Sequence, residues 1–335
     1  MTSVDLPSPA NQNQAPEPER HNRRKHRDRS GATIGLVLGL AGLFGARLGH
    51  LWIGFDIFAQ FWIQFIFITL ACALGLTSPR YKSLVAAVFL ILMVVGYSIW
   101  PHYASANSST KLAELGPNER ALKVASFNTY IGNTNMVAIA HEVSRLDADV
   151  VTLIEFDAEK HQVLDELRGQ YPYQETCWKI VYCDYAILSK TPLADAMGRA
   201  NWSGPPLMSA RLGPEFGNLT IVGIHTFRFP HQRAQLNQIM TLVKYMETVP
   251  GPIVMMGDFN ATPFSRITQT IADELGLERL TYLPTWSATY GLPQLAIDHI
   301  FVSHKIKALD HERIGEYAGS DHFPITMTLA IPTTP

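Results

Sequence analysis

Eight short apolar segments in the C-terminal two thirds limit most strongly what this chain can fold into. Each has five to seven residues, the length of a buried strand. Amphipathic segments with helical spacing lie between some of them, at residues 135–146, 231–249 and 265–276. The apolar segments are residues 122–127, 149–154, 185–189, 207–212, 219–225, 252–256, 296–302 and 324–330. The mixture predicts an α+β domain in which two packed sheets carry helices on the outside.

Polar side chains end or interrupt several of these apolar segments. In GDFN, Asp258 and Asn260 stand two residues apart and therefore point to the same side of an extended chain. Each such residue alone is also explained as a turn residue, a solvated acid or a structural histidine. Together, carboxylates, amides and imidazoles suit a hard divalent metal and a phosphate ester. The other members of the set are Asn128, Glu155, His225, Asp298, Asp321 and His322.

Seven segments in chain order resemble motifs of the endonuclease/exonuclease/phosphatase superfamily, also called the DNase I-like fold. They are FNTY, IEF, YAILSK, HTFRFP, GDFNATP, IDHIFVS and GSDHFPI, and they extend over about residues 121–331. The resemblance implies a four-layer αββα sandwich. It also implies a metal-dependent hydrolase that acts on phosphoric ester bonds, with Mg²⁺ or alternatively Mn²⁺ as cofactor.

The resemblance further implies which residues hold the metal and the phosphate. Glu155 would be the principal metal ligand, and Asp321 would complete the metal site. Asn128 would lie near both the metal and the phosphate, and Asn260 would bind the phosphate.

The catalytic roles implied by the resemblance fall on four other residues. Asp258 would orient or deprotonate the attacking water, and His225 would lie beside the leaving group. Asp298 would orient His322, which would contact the scissile phosphate or act as the base. The choice of base between Asp258 and His322 stays open at the level of sequence.

Four residues near these motifs have two explanations each. Asp184 stands where many members have a glycine, so it is either an extra acid beside the cleft or a surface hairpin residue. Arg228 and Arg233 either meet substrate phosphate or are solvated. His299 should face away from its neighbour Asp298 by strand alternation and is expected to be structural.

The first hundred residues predict a membrane anchor. Residues 1–30 read as a disordered basic tail, in which Arg20–Arg29 holds six Arg or Lys and one Asp. Within residues 31–100, three apolar runs predict three transmembrane helices, and residues 101–120 read as a linker to a catalytic domain at 121–335. The runs are residues 32–46, 57–76 and 84–100.

Positive charges predict the orientation of these helices. Arg20–Arg29, Arg80 and Lys82 belong on the cytoplasmic side, which places everything after the third span outside the cytoplasm. The layout is similar to that of membrane-tethered bacterial members of the superfamily. We therefore expect a multi-pass protein of the bacterial inner membrane with an extracytoplasmic catalytic domain.

Two of the three cysteines are candidates for a disulfide. Cys177 and Cys183 lie six residues apart, and outside the cytoplasm such a pair can close a hairpin. The alternative is two free thiols. Cys72 lies in the second apolar run and is expected to be a packed, inert thiol.

The charge balance bears on the substrate. Residues 121–335 hold 16 basic and 22 acidic side chains, a net charge of −6, which argues against strong non-specific DNA binding. The expected function is a phosphodiesterase or endonuclease whose partner is a phosphodiester, either nucleic acid or a lipid headgroup. The alternatives are a phospholipid or sphingomyelin phosphodiesterase, a phosphatase of the same fold, or a non-catalytic receptor for a phosphorylated ligand. No obligate protein partner is implied.

Overall fold

The computed structural model describes residues 17–76, 81–108, 112–200, 204–291 and 294–333. The chain divides into two compact units. One comprises Met1–Leu43 with Ile63–Val94, and the other comprises Phe44–Trp62 with Val95–Pro335. The second is called the catalytic unit here because it contains residues 121–335, for which the sequence predicts a catalytic domain. The catalytic unit is thus larger than the domain expected from residue 121. Residues 1–16 of the expected tail, Arg80, and residues 109–111 of the expected linker lie outside the described residues.

Among the described residues, the chain forms helices α1–α8 and strands β1–β13. In chain order they are α1 (Glu17–Arg47), α2 (Asp56–Ala59), α3 (Trp62–Gly75), α4 (Lys82–Ser108), β1 (Glu119–Asn128), α5 (Met136–Leu146), β2 (Val150–Ile154), α6 (His161–Leu167), β3 (Tyr173–Thr176), β4 (Tyr185–Ser189), β5 (Ala194–Arg199), β6 (Leu207–Arg211), β7 (Thr220–His225), α7 (Gln232–Met246), β8 (Ile253–Asp258), α8 (Arg266–Leu275), β9 (Leu277–Arg279), β10 (Asp298–Ser303), β11 (Lys307–Ala308), β12 (Arg313–Ile314) and β13 (Ile325–Pro332).

The N-terminal helices differ from the three expected spans. Within the described residues, one helix, Ser30–His50, is long and apolar enough to cross a bilayer, and a second span arises only if the bent pair Ile53–Ala59 and Trp62–Gly75 counts as one. The second apolar run is broken because its first residues belong to the catalytic unit. Within α4, the apolar part Lys82–Val94 is shorter than a span. Three separate transmembrane helices are therefore not shown.

Helix α1 also begins earlier than expected, at Glu17, inside the segment that was expected to be disordered. The residues from Glu17 onward are rich in Glu, Arg and Lys, which have high helix propensity. Farther along α1, Gly35 and Gly39 allow α3 to approach closely, because a Cβ atom at these positions would meet Cys72 and Thr69. Cys72 is a free thiol, as expected.

The catalytic unit is built on two sheets. Among the described residues, one sheet has the strand order β11-β13-β1-β2-β4-β3, with β12 also on β13, and the other has the order β5-β6-β7-β8-β10-β9. Their facing side chains form one core, which includes Val124 and Ile187 from the first sheet and Val254 and Ile300 from the second.

Helices cover the outer face of each sheet. Alternation along β1 turns Phe127 to the opposite side from Val124, where it packs with α5 and α6. On the second sheet, Met255 and Phe301 pack in the same way with α7 and α8. Each of these four side chains is fully buried. The arrangement is the αββα sandwich that the sequence predicted.

Two parallel strand pairs bring the polar residues at the strand ends together. β1 pairs with β2 in parallel, with Asn128 opposite Ile154, and β7 pairs with β8 in parallel, with His225 opposite Asp258. Parallel strands end at the same edge of a sheet, so residues that follow them meet there. β10 runs antiparallel to β8 and begins at Asp298, directly opposite Asp258.

All eight predicted strand segments and all three predicted helices of this domain are present. Ser265 is the N-cap of α8, as expected, and its side chain accepts a hydrogen bond from the backbone N of Ile267. Cys177 and Cys183 form the disulfide that the sequence favoured, with Cα atoms 5.5 Å apart.

Gly257 provides a test of this architecture. Its φ of 151° is open mainly to glycine, and a Cβ atom there would clash with the carbonyl oxygen of Ile224 in the paired strand β7. We expect Gly257→Ala to lower the free energy of unfolding by about 2–4 kcal/mol. The measurement is the thermal denaturation midpoint of the full chain in detergent.

Gly169→Ala is the matched control, because a Cβ atom at Gly169 has no other atom within 4 Å. We expect its midpoint to equal that of the wild type. Equal midpoints for the two variants would contradict the close β7–β8 packing.

Candidate active site

Asn128 joins the polar residues at the ends of the two sheets. It is the last residue of β1 and is buried. Its Nδ2 atom donates to Glu155 Oε1 at 3.1 Å and to Asp258 Oδ2 at 3.0 Å. Its Oδ1 atom accepts from the backbone N of Tyr130 at 3.0 Å, which fixes the orientation of the amide. The amino group therefore faces the carboxylates, and the expected role of Asn128 as a metal ligand stays a prediction.

Glu155 directly follows β2 and adopts a positive φ of 53°. Its Oε2 atom accepts from the backbone N of Ile131 at 2.8 Å, and 23% of the side chain is exposed to the cleft. Burial raises the pKa of this carboxyl, but nearby His225 and the hydrogen bonds from Ile131 and Asn128 outweigh burial and lower the pKa below its usual value. Glu155 is therefore an ionised carboxylate open to a cation.

His225 ends β7 beside two carboxylates. Its Nε2 atom lies 3.8 Å from Glu155 Oε1 and 3.5 Å from Asp258 Oδ2. Ligand atoms of these three residues all lie within 4.8 Å of one another, a spacing that can hold a metal ion.

His322 lies between two buried carboxylates. Its Nδ1 atom is 2.7 Å from Asp298 Oδ2, and its Nε2 atom is 3.6 Å from Asp258 Oδ2. Thr285 Oγ1 donates to the same Asp298 oxygen at 2.6 Å. Both carboxylates are 2% exposed, so the imidazole is the cation that compensates them. Asp298 thus holds His322 in one orientation.

Burial and neighbouring charges shift the pKa values of Asp258 and His322. Burial raises the pKa of Asp258 to about 6, with Asp298 adding to the rise and His322 opposing it. Burial alone would lower the pKa of His322, but Asp298 and Asp258 raise it to about 10. In the metal-free protein, His322 is therefore a cation at neutral pH and Asp258 is mostly ionised.

Asn260 and Asp321 flank this centre. The backbone N of Asn260 donates to Asp258 Oδ1 at 2.8 Å, and its Nδ2 atom donates to the carbonyl of Thr226 at 3.1 Å. Asp321 Oδ1 lies 4.0 Å from His322 Nε2, and its Oδ2 atom accepts from Trp286 Nε1 at 3.1 Å. Among the described residues, Asp321 belongs to neither cluster with metal-ligand spacing, and its metal role stays a prediction.

The site opens into a cleft of about 650 Å³. Beyond the predicted polar residues, aromatic side chains line it, including Phe229 and Trp286, together with Arg228. Arg233 is exposed on α7. The aromatic wall and Thr285 were missed at the level of sequence, because nothing in those segments distinguishes them from ordinary loop residues.

The two remaining questions from the sequence concern His299 and Asp184. His299 is fully buried, donates from Nε2 to the carbonyl of Ala261 at 2.9 Å, and has its pKa lowered by burial to about 3. It is a neutral structural residue, as predicted. Asp184 is partly exposed, and burial together with Asp157 raises its pKa.

The two-sheet sandwich and its clustered acids, amides and imidazoles define a phosphoesterase fold of the DNase I-like type. Residues 125–322 match the endonuclease/exonuclease/phosphatase family, and the chain belongs to that family. The expectation from sequence is thereby confirmed. A comparison with curated protein sequences gives no match.

Solved structures support the fold. An endonuclease/exonuclease/phosphatase family protein from Bacteroides thetaiotaomicron is 16% identical over 64% of this chain and 98% of its own, with a TM-score of 0.52. A family member from Beutenbergia cavernae is 18% identical over 63% and 72%, with a TM-score of 0.51. A humanized D. rerio TDP2 is 16% identical over 62% and 98%, also with a TM-score of 0.51. At these identities the likeness concerns the fold alone.

The protonation of His322 is directly testable. Its pKa in the folded state lies above the ordinary value of 6.5, so its charge stabilises the fold fully below pH 6.5 and ceases to do so as the pH rises through about 10. We expect the His322 ring of metal-free protein to stay protonated at pH 8, and Asp298→Asn to lower its pKa. The measurement is NMR of labelled histidine rings, assigned with His322→Gln. Titration of wild-type His322 near pH 6.5 would contradict the paired geometry.

Proposed function

We propose that this protein is a membrane-anchored, divalent-metal-dependent phosphodiesterase. One observation carries the proposal. The amide of Asn128 and the imidazoles of His225 and His322 all lie close to Asp258. Glu155 lies beside them, and the group opens into one cleft. A buried structural cluster would need neither the cleft nor a cation-accepting carboxylate at its rim.

The donor set fits a magnesium ion. Glu155 offers an ionised oxygen ligand that is accessible from the cleft, and Asp258 lies within the same ligand cluster. Mg²⁺ prefers oxygen ligands and is typically held by one or two carboxylates, with the rest of its shell left to water and substrate. When bound, it would supply charge stabilisation for phosphoryl oxygens. Glu155 is the residue we assign to hold it, and Asp321 and Asn128 remain proposed additional members.

Asp258 is the residue we assign as the general base. Hydrolysis adds water to phosphorus and breaks the bond to the leaving alcohol, so one proton must leave the attacking water and one must reach the leaving oxygen. Asp298 and Asp258 raise the pKa of His322, which argues against His322 as the acceptor of the first proton. Asp258 is mostly ionised, with a pKa of about 6 that brings it close to the working pH of a base.

The protonated His322 then stabilises the negative charge of the phosphoryl group. Asp298 holds the His322 ring in place. Asn260 has a second Nδ2 hydrogen beyond the one given to Thr226, and we assign it to a phosphoryl oxygen. His225 lines the cleft, and we assign it the role of proton donor to the leaving oxygen.

The aromatic cleft wall bears on the substrate. Phe229 and Trp286 contact each other with ring centroids 6.4 Å apart, beside the site. Rings at this place can cover either a nucleobase or the apolar part of a lipid headgroup region, whereas a small phosphate monoester would leave them unused. The wall therefore favours a phosphodiester over a monoester.

Turnover with matched variants tests the chemistry. We expect the full chain in detergent to hydrolyse a phosphodiester with Mg²⁺, to lose activity in EDTA, and to regain it on addition of Mg²⁺. Asp258→Asn should lower kcat by about 10²–10⁴-fold, because the base is removed. Glu155→Gln should also weaken Mg²⁺ binding measured by calorimetry.

Asp310→Asn serves as the control, since Asp310 accepts from Thr328 on β13 and has no contact with the cleft residues named above. The substrate panel contains single- and double-stranded DNA, RNA, sphingomyelin, phosphatidylinositol phosphates and bis(p-nitrophenyl) phosphate. If the protein binds Mg²⁺ but hydrolyses no diester, the proposed enzymatic function is rejected, and a non-catalytic receptor for a phosphorylated ligand is favoured.

Membrane anchoring is part of the same proposal. The helix Ser30–His50 follows the basic run Arg20–Arg29, which favours a cytoplasmic N-terminus. The Cys177–Cys183 disulfide suits an oxidising compartment. A multi-pass arrangement in the bacterial inner membrane remains our proposal.

Fractionation of bacterial cells tests the anchor. We expect the intact chain to stay in the membrane pellet after carbonate washing, because an apolar helix of this length is held by the bilayer. We also expect Cys177 and Cys183 to resist alkylation until a reductant is added. A shortened soluble chain would instead identify the helix as a cleaved signal, and free thiols would place the domain in the cytoplasm.

A further inference from the structure

Residues 48–62 follow α1 and are here called segment 48–62. The segment belongs to the catalytic unit, although α3 and the first part of α4 separate it in sequence from the rest of that unit. It contains α2 and is mostly apolar. Two of its polar side chains, Asp56 and Gln60, are nevertheless buried, at 1% and 2% exposure. Buried polar side chains need hydrogen-bond partners, so their partners reveal what the segment does.

Asp56 caps the N-terminus of α8. Its Oδ1 atom accepts from the backbone N of Arg266 at 2.7 Å, and its Oδ2 atom accepts from Ser265 Oγ at 2.6 Å. Ser265 is itself the N-cap of α8. Helix N-termini present unpaired N–H groups and favour a negative charge. The start of α8 is therefore held by a residue 209 positions earlier in the chain.

Gln60 and its neighbours hold the loop before α8. Gln60 Oε1 accepts from the backbone N of Thr262 at 2.8 Å, and the carbonyl of Ala59 accepts from Thr262 Oγ1 at 3.1 Å. The ring of Trp62 stacks on Phe264 with centroids 5.9 Å apart. The loop of residues 261–265 is thus fixed to segment 48–62 by side-chain, backbone and ring contacts.

This loop continues directly from the active site. Thr262 lies two residues after Asn260, whose backbone N donates to Asp258. Segment 48–62 also reaches the aromatic wall, since Phe61 packs edge-on against Phe229 at 5.6 Å. The segment therefore contacts both the loop that carries Asn260 and the side of the cleft that faces the substrate.

We propose that Asp56 and Gln60 are positioning residues for Asn260, and that the catalytic unit is complete only with segment 48–62. The proposal rests on the phosphate-binding role of Asn260 proposed above. Asn260 has a φ of 47° and three hydrogen bonds of its own, to Asp258, Thr226 and Gln235. Loss of the loop anchor therefore displaces Asn260 slightly and does not release it. Displacements below 1 Å are enough to slow a positioned reaction.

Kinetics of the full chain in detergent test the proposal. Asp56→Asn keeps the shape of the side chain but turns an amino group toward the donors of Ser265 or Arg266, and Gln60→Leu removes the acceptor for Thr262. We expect each to lower kcat/KM about 10-fold on bis(p-nitrophenyl) phosphate. Asp310→Asn, which alters a similar carboxylate anchor at Thr328, should stay within about twofold of the wild type.

A double-mutant cycle separates positioning from general destabilisation. If Asp56 acts through Asn260, Asp56→Asn has no further effect on kcat/KM in the Asn260→Ala background. An equal loss in both backgrounds overturns the proposal, and so does a loss in Asp310→Asn as large as that in Asp56→Asn.

Hydrogen exchange gives a readout that needs no substrate. We expect Asp56→Asn and Gln60→Leu to increase amide exchange in residues 259–266, while exchange in β8 stays unchanged. If amides 259–266 of both variants exchange at the wild-type rate, the proposed anchor is overturned. If the wild type hydrolyses no phosphodiester, the proposed function fails on that result, while increased exchange in 259–266 still supports the anchor.

Discussion

The burial of the Asp258 carboxylate is the constraint on which the site depends. Asp258 ends a central strand, where it accepts hydrogen bonds from Asn128 and from the backbone of Asn260 and lies close to the imidazoles of His225 and His322. An ionised carboxylate in such a place is costly unless donors and cations surround it. Each neighbour of Asp258 therefore serves the stability of the fold as well as the proposed chemistry. The same burial raises its pKa toward neutrality, which suits a base.

The backbone around Asp258 shows how the sandwich meets this constraint. Gly257 lets β7 and β8 approach closely just before the carboxylate, and the antiparallel partner β10 begins opposite it at Asp298. Asp298 contacts His322 directly, and its charge also raises the pKa of Asp258. One imidazole thus lies between two carboxylates that the sheet register brings together.

The N-terminal part of the chain has two physical roles. Helix Ser30–His50 has the length and composition of a span, whereas segment 48–62 uses buried polar contacts to join the catalytic unit. Asp56, directly before the second apolar run, has its carboxylate bound by the start of α8. Apolar composition alone cannot distinguish lipid-facing residues from residues packed on a protein surface, because both environments favour the same side chains.

Local sequence determined the strands, the α5, α7 and α8 helices, and the residues that converge at the site, because strand periodicity and polar residues at strand ends are properties of short segments. The other five strands, β3, β5, β9, β11 and β12, were not predicted, since each is held by pairing with a neighbour more than by its own pattern. Only the tertiary structure decided the pairing of His322 with Asp298, the orientation of the Asn128 amide, the aromatic wall and the contact of Asp56 with the start of α8. Each of these depends on residues far apart in the chain, whose contacts are set by packing and burial and leave no local signal in the sequence.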